Sequence, residues 1–171
     1  MSPEVETRNP VEQTVDLVTR TLRILYAAFW FALAAYLVLL VVILPLTPAP
    51  AEARPLLPRN WSQWRYFFGM AGIASLYISQ RLRAALTDPV RLRAASPVPA
   101  VVGRMISGRV ILWCLVEIPA LLGVMDRWLS GELRYSLALI AMSGLGLLLH
   151  RPLRDRVEET LAPLGGTVPS P

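Results

Sequence analysis

The sequence contains no lysine, one histidine and one cysteine, and only 17% of its 171 residues are charged. Because Cys114 has no second cysteine to pair with, an internal disulfide is excluded. Paired histidines, a phosphate-binding glycine loop and a nucleophile–base set are also missing from the sequence. The sequence therefore does not predict an enzyme, a metal site or a cofactor.

Apolar residues are abundant instead. They make up 54% of the chain, which is typical of a protein whose solvent is mostly lipid. Outside the apolar segments, no polar stretch is long enough for a separate soluble domain. The net charge of +5 comes from arginines that flank apolar segments. Such arginines anchor helix ends to lipid headgroups, so the charge does not predict a nucleic-acid partner.

Four apolar segments predict an all-α integral membrane protein, a bundle of four transmembrane helices. The first segment is apolar from Ile24 to Leu46, long enough at about 1.5 Å per residue to cross a hydrocarbon core of about 30 Å. It exceeds the roughly 7–15 apolar residues of a signal peptide, so we expect it to stay uncleaved. The other three are shorter, and the stems of flanking arginines extend them. The predicted spans within the membrane domain 24–151 are 24–46, 64–82, 108–128 and 133–151.

Arginines and aromatic residues orient the predicted spans. With four spans, 12 of the 17 arginines lie on the side that holds both termini and the second loop. The positive-inside rule therefore predicts both termini in the cytoplasm. The expected location is the bacterial cytoplasmic (inner) membrane. An aromatic belt is predicted on the opposite side. Its residues are Trp61, Trp64, Tyr66, Trp128 and Tyr135.

The segment before the first span, the loop between the second and third spans and the tail after the fourth span are predicted to be cytoplasmic. In residues 1–23, Asn9-Pro10 favours a helix start, and apolar residues follow at helical spacing. These residues are Val11, Val15, Val18 and Leu22. We expect an amphipathic helix that continues into the first span, with the membrane surface or a partner as alternative docking sites. Prolines predict a broken loop over residues 83–103, and residues 152–171 form a tail that is disordered from Pro163 onward.

Glu117 is the one carboxylate in the middle of a predicted span. It lies eight residues from Arg109 and nine from Asp126, near the bilayer midplane. An ionised carboxylate there costs roughly 2.5–3.5 kcal/mol on insertion scales. We therefore expect Glu117 to be protonated or held by a polar partner, and it is the candidate proton-binding residue. A structural hydrogen bond to a neighbouring helix and a buried ion pair are the alternatives, although Arg65 and Arg109 lie far along the axis.

A proline and small residues near Glu117 predict close helix packing. Pro119 removes the donor for the Leu115 carbonyl, which can then accept the proton of a neutral Glu117. Gly123 permits close approach of a neighbouring helix. On the second span, small residues recur at spacings of three and four: Gly69, Gly72, Ser75 and Ser79. If the two spans form a hairpin, Gly72 and Ser75 lie at the depth of Glu117.

The run from Trp113 to Val124, with Glu117, Pro119 and Gly123 in order, resembles the carboxylate-bearing helix of rotary ATP synthase subunit c. The preceding glycine-containing helix and the arginine-bearing loop extend this resemblance over residues 66–125. In that family, helical hairpins assemble into a ring; for this chain the resemblance implies a helical hairpin with Glu117 as the residue that binds the translocated proton or sodium ion. Gly69 and Gly72 loosely match the glycine-rich inner helix of that family.

Two functions are expected from these features. The first is a small membrane protein with a subunit-c-like hairpin whose Glu117 binds a proton. The second is a non-catalytic subunit of a larger respiratory or photosynthetic complex, in which Glu117 only forms a hydrogen bond. Both imply the lipid bilayer and other membrane subunits, or further copies of the chain, as partners. His150 is expected to be a solvated helix end, with a haem or chlorophyll ligand as the alternative.

Overall fold

The computed structural model describes residues 10–46, 61–94, 97–130 and 132–163. These residues are helical apart from short turns, and no strand occurs among them, which confirms the predicted all-α class. The first helix continues past Val38 through a π-helical turn, Leu39–Ile43, and a last α-helical turn, Leu44–Leu46. The helices are α1 (Pro10–Val38), α2 (Trp61–Thr87), α3 (Pro89–Arg93), α4 (Val98–Ser130), α5 (Leu133–Leu149) and α6 (Arg154–Leu161).

The four long helices alternate in direction. The start of α2 meets the end of α4, where Arg65 pairs with Asp126. The end of α2 meets the end of α5, where Arg83 donates to the Leu149 carbonyl. Helix α4 contacts α1, α2 and α5, and is therefore the central helix of an up-down-up-down bundle.

Close packing around α4 depends on one aromatic residue and one glycine. Trp113 is fully buried, and its ring lies 5.6 Å from that of Tyr26 and 5.5 Å from that of Phe29, both on α1. At Gly146 of α5, a Cβ atom would lie 2.6 Å from a methyl group of Val116 and 2.8 Å from one of Leu76. Three helices therefore meet at Gly146, and only a residue without a side chain fits there.

Among the described residues, two helical stretches are long and apolar enough to cross a membrane, Val11–Leu46 and Val98–Ser130. A third is obtained if α5 and α6, which are bent by 44° at their junction, are taken as one broken span. Helix α2 has the necessary length at 27 residues but is less apolar. Two or three of the described helices therefore support a membrane location.

Helices occupy much of the segment that was predicted to be a broken loop. Helix α2 continues to Thr87, and α3 follows at once because Asp88 is its N-cap, accepting a hydrogen bond from the Val90 N–H at 3.0 Å. Pro89 and Pro99 lie in the first turns of α3 and α4. A proline is tolerated there because that N–H would have no intrahelical partner. The prolines of this segment therefore begin helices rather than prevent them.

The first and last of the described helices pack on each other. Helix α1 begins at Pro10, as predicted, and runs on into the apolar stretch without a break; its predicted cap, Asn9, lies outside the described residues. Helix α6 was not predicted, and it buries Val157 and Leu161 against α1. The apolar residues of α1 in the same core are Val15, Val18 and Leu22. That stripe is therefore covered within the chain, while the predicted disorder after Pro163 falls outside the described residues.

Candidate functional site

Glu117 lies inside the bundle, on the central helix α4, with 9% of its surface exposed. Its Oε1 atom is buried and has no hydrogen-bond partner among the described residues. Over the same residues, no arginine comes within ion-pair distance of this carboxylate. Tyr36 on α1 and Cys114, one turn earlier on α4, lie within electrostatic range of it. The site is thus a carboxyl group at the junction of α1 and α4, with one buried oxygen that has no partner among the described residues.

The residues next to Glu117 bind α4 to its two other neighbours. The Ala120 N–H donates to Ser143 Oγ of α5 at 2.9 Å, a hydrogen bond between helices one turn from the carboxylate. A Cβ atom at Gly72 of α2 would lie 3.4 Å from Pro119 Cβ. The Ser75 hydroxyl donates to the Gly72 carbonyl at 2.8 Å, within its own helix. Gly72 therefore lies beside Pro119, while Ser75 caps a local carbonyl.

The two other candidate packing glycines contact α5 rather than each other. A Cβ atom at Gly123 would lie 2.8 Å from the Ser136 carbonyl oxygen, and one at Gly69 would lie 2.8 Å from the Tyr135 hydroxyl oxygen. The predicted hairpin paired α4 with α2 alone, and the close contact between α4 and α5 was not predicted. A signal was present, because Ser136, Ser143 and Gly146 are small residues at helical spacing on α5.

A charged cluster closes the bundle where α2 begins and α4 ends. Asp126 is fully buried, and its carboxylate lies 3.3 Å from Arg65 Nε and 3.3 Å from Ser136 Oγ. Arg65 also pairs with Glu132 at 2.7 Å, and its carbonyl accepts a hydrogen bond from the Tyr135 hydroxyl. Arg65 was predicted to lie at the charged limit of its span, too far along the axis to pair with Glu117, and its pair with Asp126 was not predicted. Opposite charges at facing ends of an antiparallel helix pair were the signal for this contact.

His150 lies at the other end of the bundle and is fully buried, so the expected solvated helix end is wrong. Its Nε2 lies 3.1 Å from Ser79 Oγ, and its carbonyl accepts from Trp113 Nε1 at 3.1 Å. Nearby, Tyr26 donates to the Leu147 carbonyl at 3.1 Å. Together with Arg83 of α2, which donates to the Leu149 carbonyl, side chains from α1, α2 and α4 thus bind the carbonyls at the end of α5. The end of this helix is therefore satisfied inside the protein.

The described residues contain no group of three or more histidine, cysteine, aspartate or glutamate side chains that could hold a metal ion. Comparison of the chain with protein-family models, curated proteins and solved structures finds no match. The resemblance to subunit c stays a prediction that depends on the residues around Glu117.

Proposed function

We propose that this protein spans the bacterial inner membrane four times, with both termini in the cytoplasm. Two or three helices have the length and composition for this, and α2 is the remaining one. The outward side of α2 supports its assignment as a span, because large apolar residues follow one another there at helical spacing and are exposed. They are Phe67, Met70, Ile73 and Tyr77. An apolar surface of this kind is unfavourable in water and suits lipid.

Within this bundle, we propose that Glu117 binds a proton. The observation that carries the proposal is its buried Oε1, which has no partner among the described residues. A carboxylate removed from water loses its hydration and needs a cation or hydrogen-bond donors in return. Arg65 is already paired with Asp126 and Glu132. Protonation is the remaining way to neutralise Glu117, so the group switches between a neutral acid and a costly anion.

The junction between α1 and α4 is the proposed route for proton exchange. Tyr36, half-buried on α1, has a phenol group that both donates and accepts hydrogen bonds. Cys114, on the same side of α4 as Glu117, is exposed. The π-helical turn Leu39–Ile43 follows Tyr36 by three residues, and such turns are often found at functional sites. A proton arriving at this junction reaches Glu117 without crossing the packed contact between α4 and α5.

A second proposal is a non-catalytic subunit of a larger membrane complex, in which Glu117 has only a structural role. The part of the first helical stretch that runs from Phe31 through the π-helical turn to Leu46 is consistent with it, because many of its apolar side chains are exposed. They include Phe31, Leu37, Val41, Val42 and Leu46. Such a surface fits lipid, a neighbouring subunit or a further copy of this chain.

Modification by a hydrophobic carbodiimide tests the proton-binding proposal, because the reagent attacks protonated carboxyl groups inside membranes. Asp126 is the matched control: it is buried on the same helix but pairs with Arg65. In native membranes we expect Glu117 to be labelled, faster at lower pH, and Asp126 to stay unlabelled. Glu117→Gln should keep the fold and abolish labelling.

Two results would count against the first proposal. If Glu117 resists the reagent across the pH range, or reacts no faster than Asp126, its carboxyl group is not exchanging a proton with the surroundings. If the protein also purifies with stoichiometric partners under those conditions, the second proposal is favoured. Accessibility of engineered cysteines from the two sides of the membrane tests the four spans separately.

A further inference from the structure

A cavity of about 340 Å³ lies at the end of the bundle that holds His150, far from the cluster around Asp126. It is enclosed by the end of α2, the start of α3, one side of α4 and the segment from α5 into α6. Four arginines and a single carboxylate line it. The charged lining residues are Arg83, Asp88, Arg109, Arg151 and Arg156. Neither proposed function uses this cavity.

Arg109 forms the floor of the cavity. Only 6% of its surface is exposed, and its Nη1 atom is buried without a hydrogen-bond partner in the described part of the chain. Arg83 and Arg156 are close enough to repel it electrostatically. Burying a guanidinium without a counter-ion is strongly unfavourable, and the nearby like charges add to the penalty. An anion in the cavity would remove both penalties.

The carboxylates around the cavity are engaged elsewhere. Asp88 accepts a hydrogen bond from the Val90 N–H and lies 3.7 Å from Arg91. Glu159 pairs with Arg156 at 3.0 Å on the exposed side of α6. Within the described residues, no carboxylate comes within 4 Å of Arg109. The floor of the cavity is therefore positively charged and without a counter-ion of its own.

The mouth of the cavity gives an anion access. Arg151 and Arg156 are exposed, whereas Arg109 is buried, so the positive charge runs from the surface to the floor. Arg83 donates one N–H to the Leu149 carbonyl, and its guanidinium has other N–H donors. Guanidinium groups from α2, α4 and α6 therefore face the same cavity from different sides. A planar carboxylate can accept hydrogen bonds from two of these sides, and a tetrahedral phosphate can accept them from more.

We propose that this cavity binds a phosphate group, with Arg109 as the buried anchor. In the proposed topology the cavity lies at the cytoplasmic end of the bundle, where lipid headgroups are located. The phosphate then comes either from an anionic phospholipid headgroup or from a soluble phosphate. The proposal does not depend on Glu117, and it holds with or without proton binding there.

The test uses the full-length protein, purified in a neutral detergent, with thermal unfolding followed by tryptophan fluorescence. One arm adds inorganic phosphate, against acetate and chloride at matched ionic strength. The other arm reconstitutes the protein into phosphatidylcholine vesicles with or without phosphatidylglycerol. The variant is Arg109→Gln, and the matched control is Arg104→Gln, an exposed arginine on the same helix that does not line the cavity. Arg151→Gln at the mouth is a second variant that leaves the core intact.

We expect phosphate or phosphatidylglycerol to raise the unfolding temperature of the wild-type protein and of Arg104→Gln. Arg109→Gln should bind the phosphate group at least about tenfold more weakly, and Arg151→Gln by a smaller factor. A response to inorganic phosphate identifies a soluble source, and a response only to phosphatidylglycerol identifies a headgroup. Equal effects of acetate or chloride, no response in either arm, or equal losses in Arg104→Gln and Arg151→Gln would overturn the proposal.

Discussion

The two ends of the bundle use arginine in opposite ways. Where α2 begins, Arg65 lies between two carboxylates and completes a cluster around the fully buried Asp126. At the other end, Arg109 is nearly as buried and has no carboxylate within 4 Å in the described residues. A buried charge must be compensated, either by the chain itself or by something the chain binds. The first end is therefore structural, and the second is built to receive an anion.

The largest effect is expected from Arg65→Gln, which removes the guanidinium from the charged cluster around Asp126. Without the guanidinium, Asp126 is left as a buried carboxylate with only hydroxyl donors. Losing one partner of a buried pair costs about 3–5 kcal/mol, and we expect a loss of this order in the free energy of unfolding. Chemical denaturation in detergent, followed by tryptophan fluorescence, measures it. Arg134→Gln, an exposed arginine on α5, is the control; an equal loss there would show that Arg65 has no special role.

The opposite sign is expected from Arg109→Met, which removes the uncompensated charge. Without phosphate or anionic lipid, the variant should be more stable than the wild type by about 1–3 kcal/mol, because an unpaired buried polar group no longer has to be accommodated. The same denaturation assay in phosphate-free neutral detergent measures this. A destabilised variant under these conditions would mean that the guanidinium is compensated within the chain, and the two ends would then not differ as argued.

Local pattern and tertiary contact explain what the sequence could and could not predict. The buried stripe of α1, from Val11 to Leu22, was predicted because helical spacing is a local property. The burial of His150 and the pair between Arg65 and Asp126 were not predicted, because they depend on how each helix is rotated against its neighbours. Helix α6 was missed for a related reason. It is a charged helix of eight residues, and only its contact with α1 reveals an apolar side.

A smaller effect is expected from Gly123→Ala, which disturbs the packing of α4 on α5 near Asp126 and leaves the cavity at Arg109 unchanged. The added methyl group would lie 2.8 Å from the Ser136 carbonyl oxygen, so α4 and α5 must separate slightly. We expect a net loss of about 1 kcal/mol, since overpacking costs about 1–3 kcal/mol and alanine favours the helix by up to about 1 kcal/mol. Gly103→Ala, where nothing lies within 4 Å, is the control on the same helix and should be neutral or stabilising. Denaturation measures both variants, and phosphate binding at the far cavity should be unchanged; equal losses in the two variants would contradict the close contact at Gly123.

The smallest effect is expected from Glu117→Gln, and it separates two buried carboxyl groups on one helix. If Glu117 is a neutral acid, an amide of the same shape replaces it with a change in unfolding free energy below about 0.5 kcal/mol. Asp126→Asn should cost several times more, because it removes the partner of Arg65. The same denaturation assay compares the two variants at neutral pH. An equally large loss in Glu117→Gln would mean that Glu117 is ionised and paired like Asp126. A protonated carboxyl group, by contrast, is already neutral, so its replacement by a neutral amide removes no charge interaction. The ratio of these two losses therefore decides whether Glu117 is an ionised, paired carboxylate like Asp126 or a neutral acid.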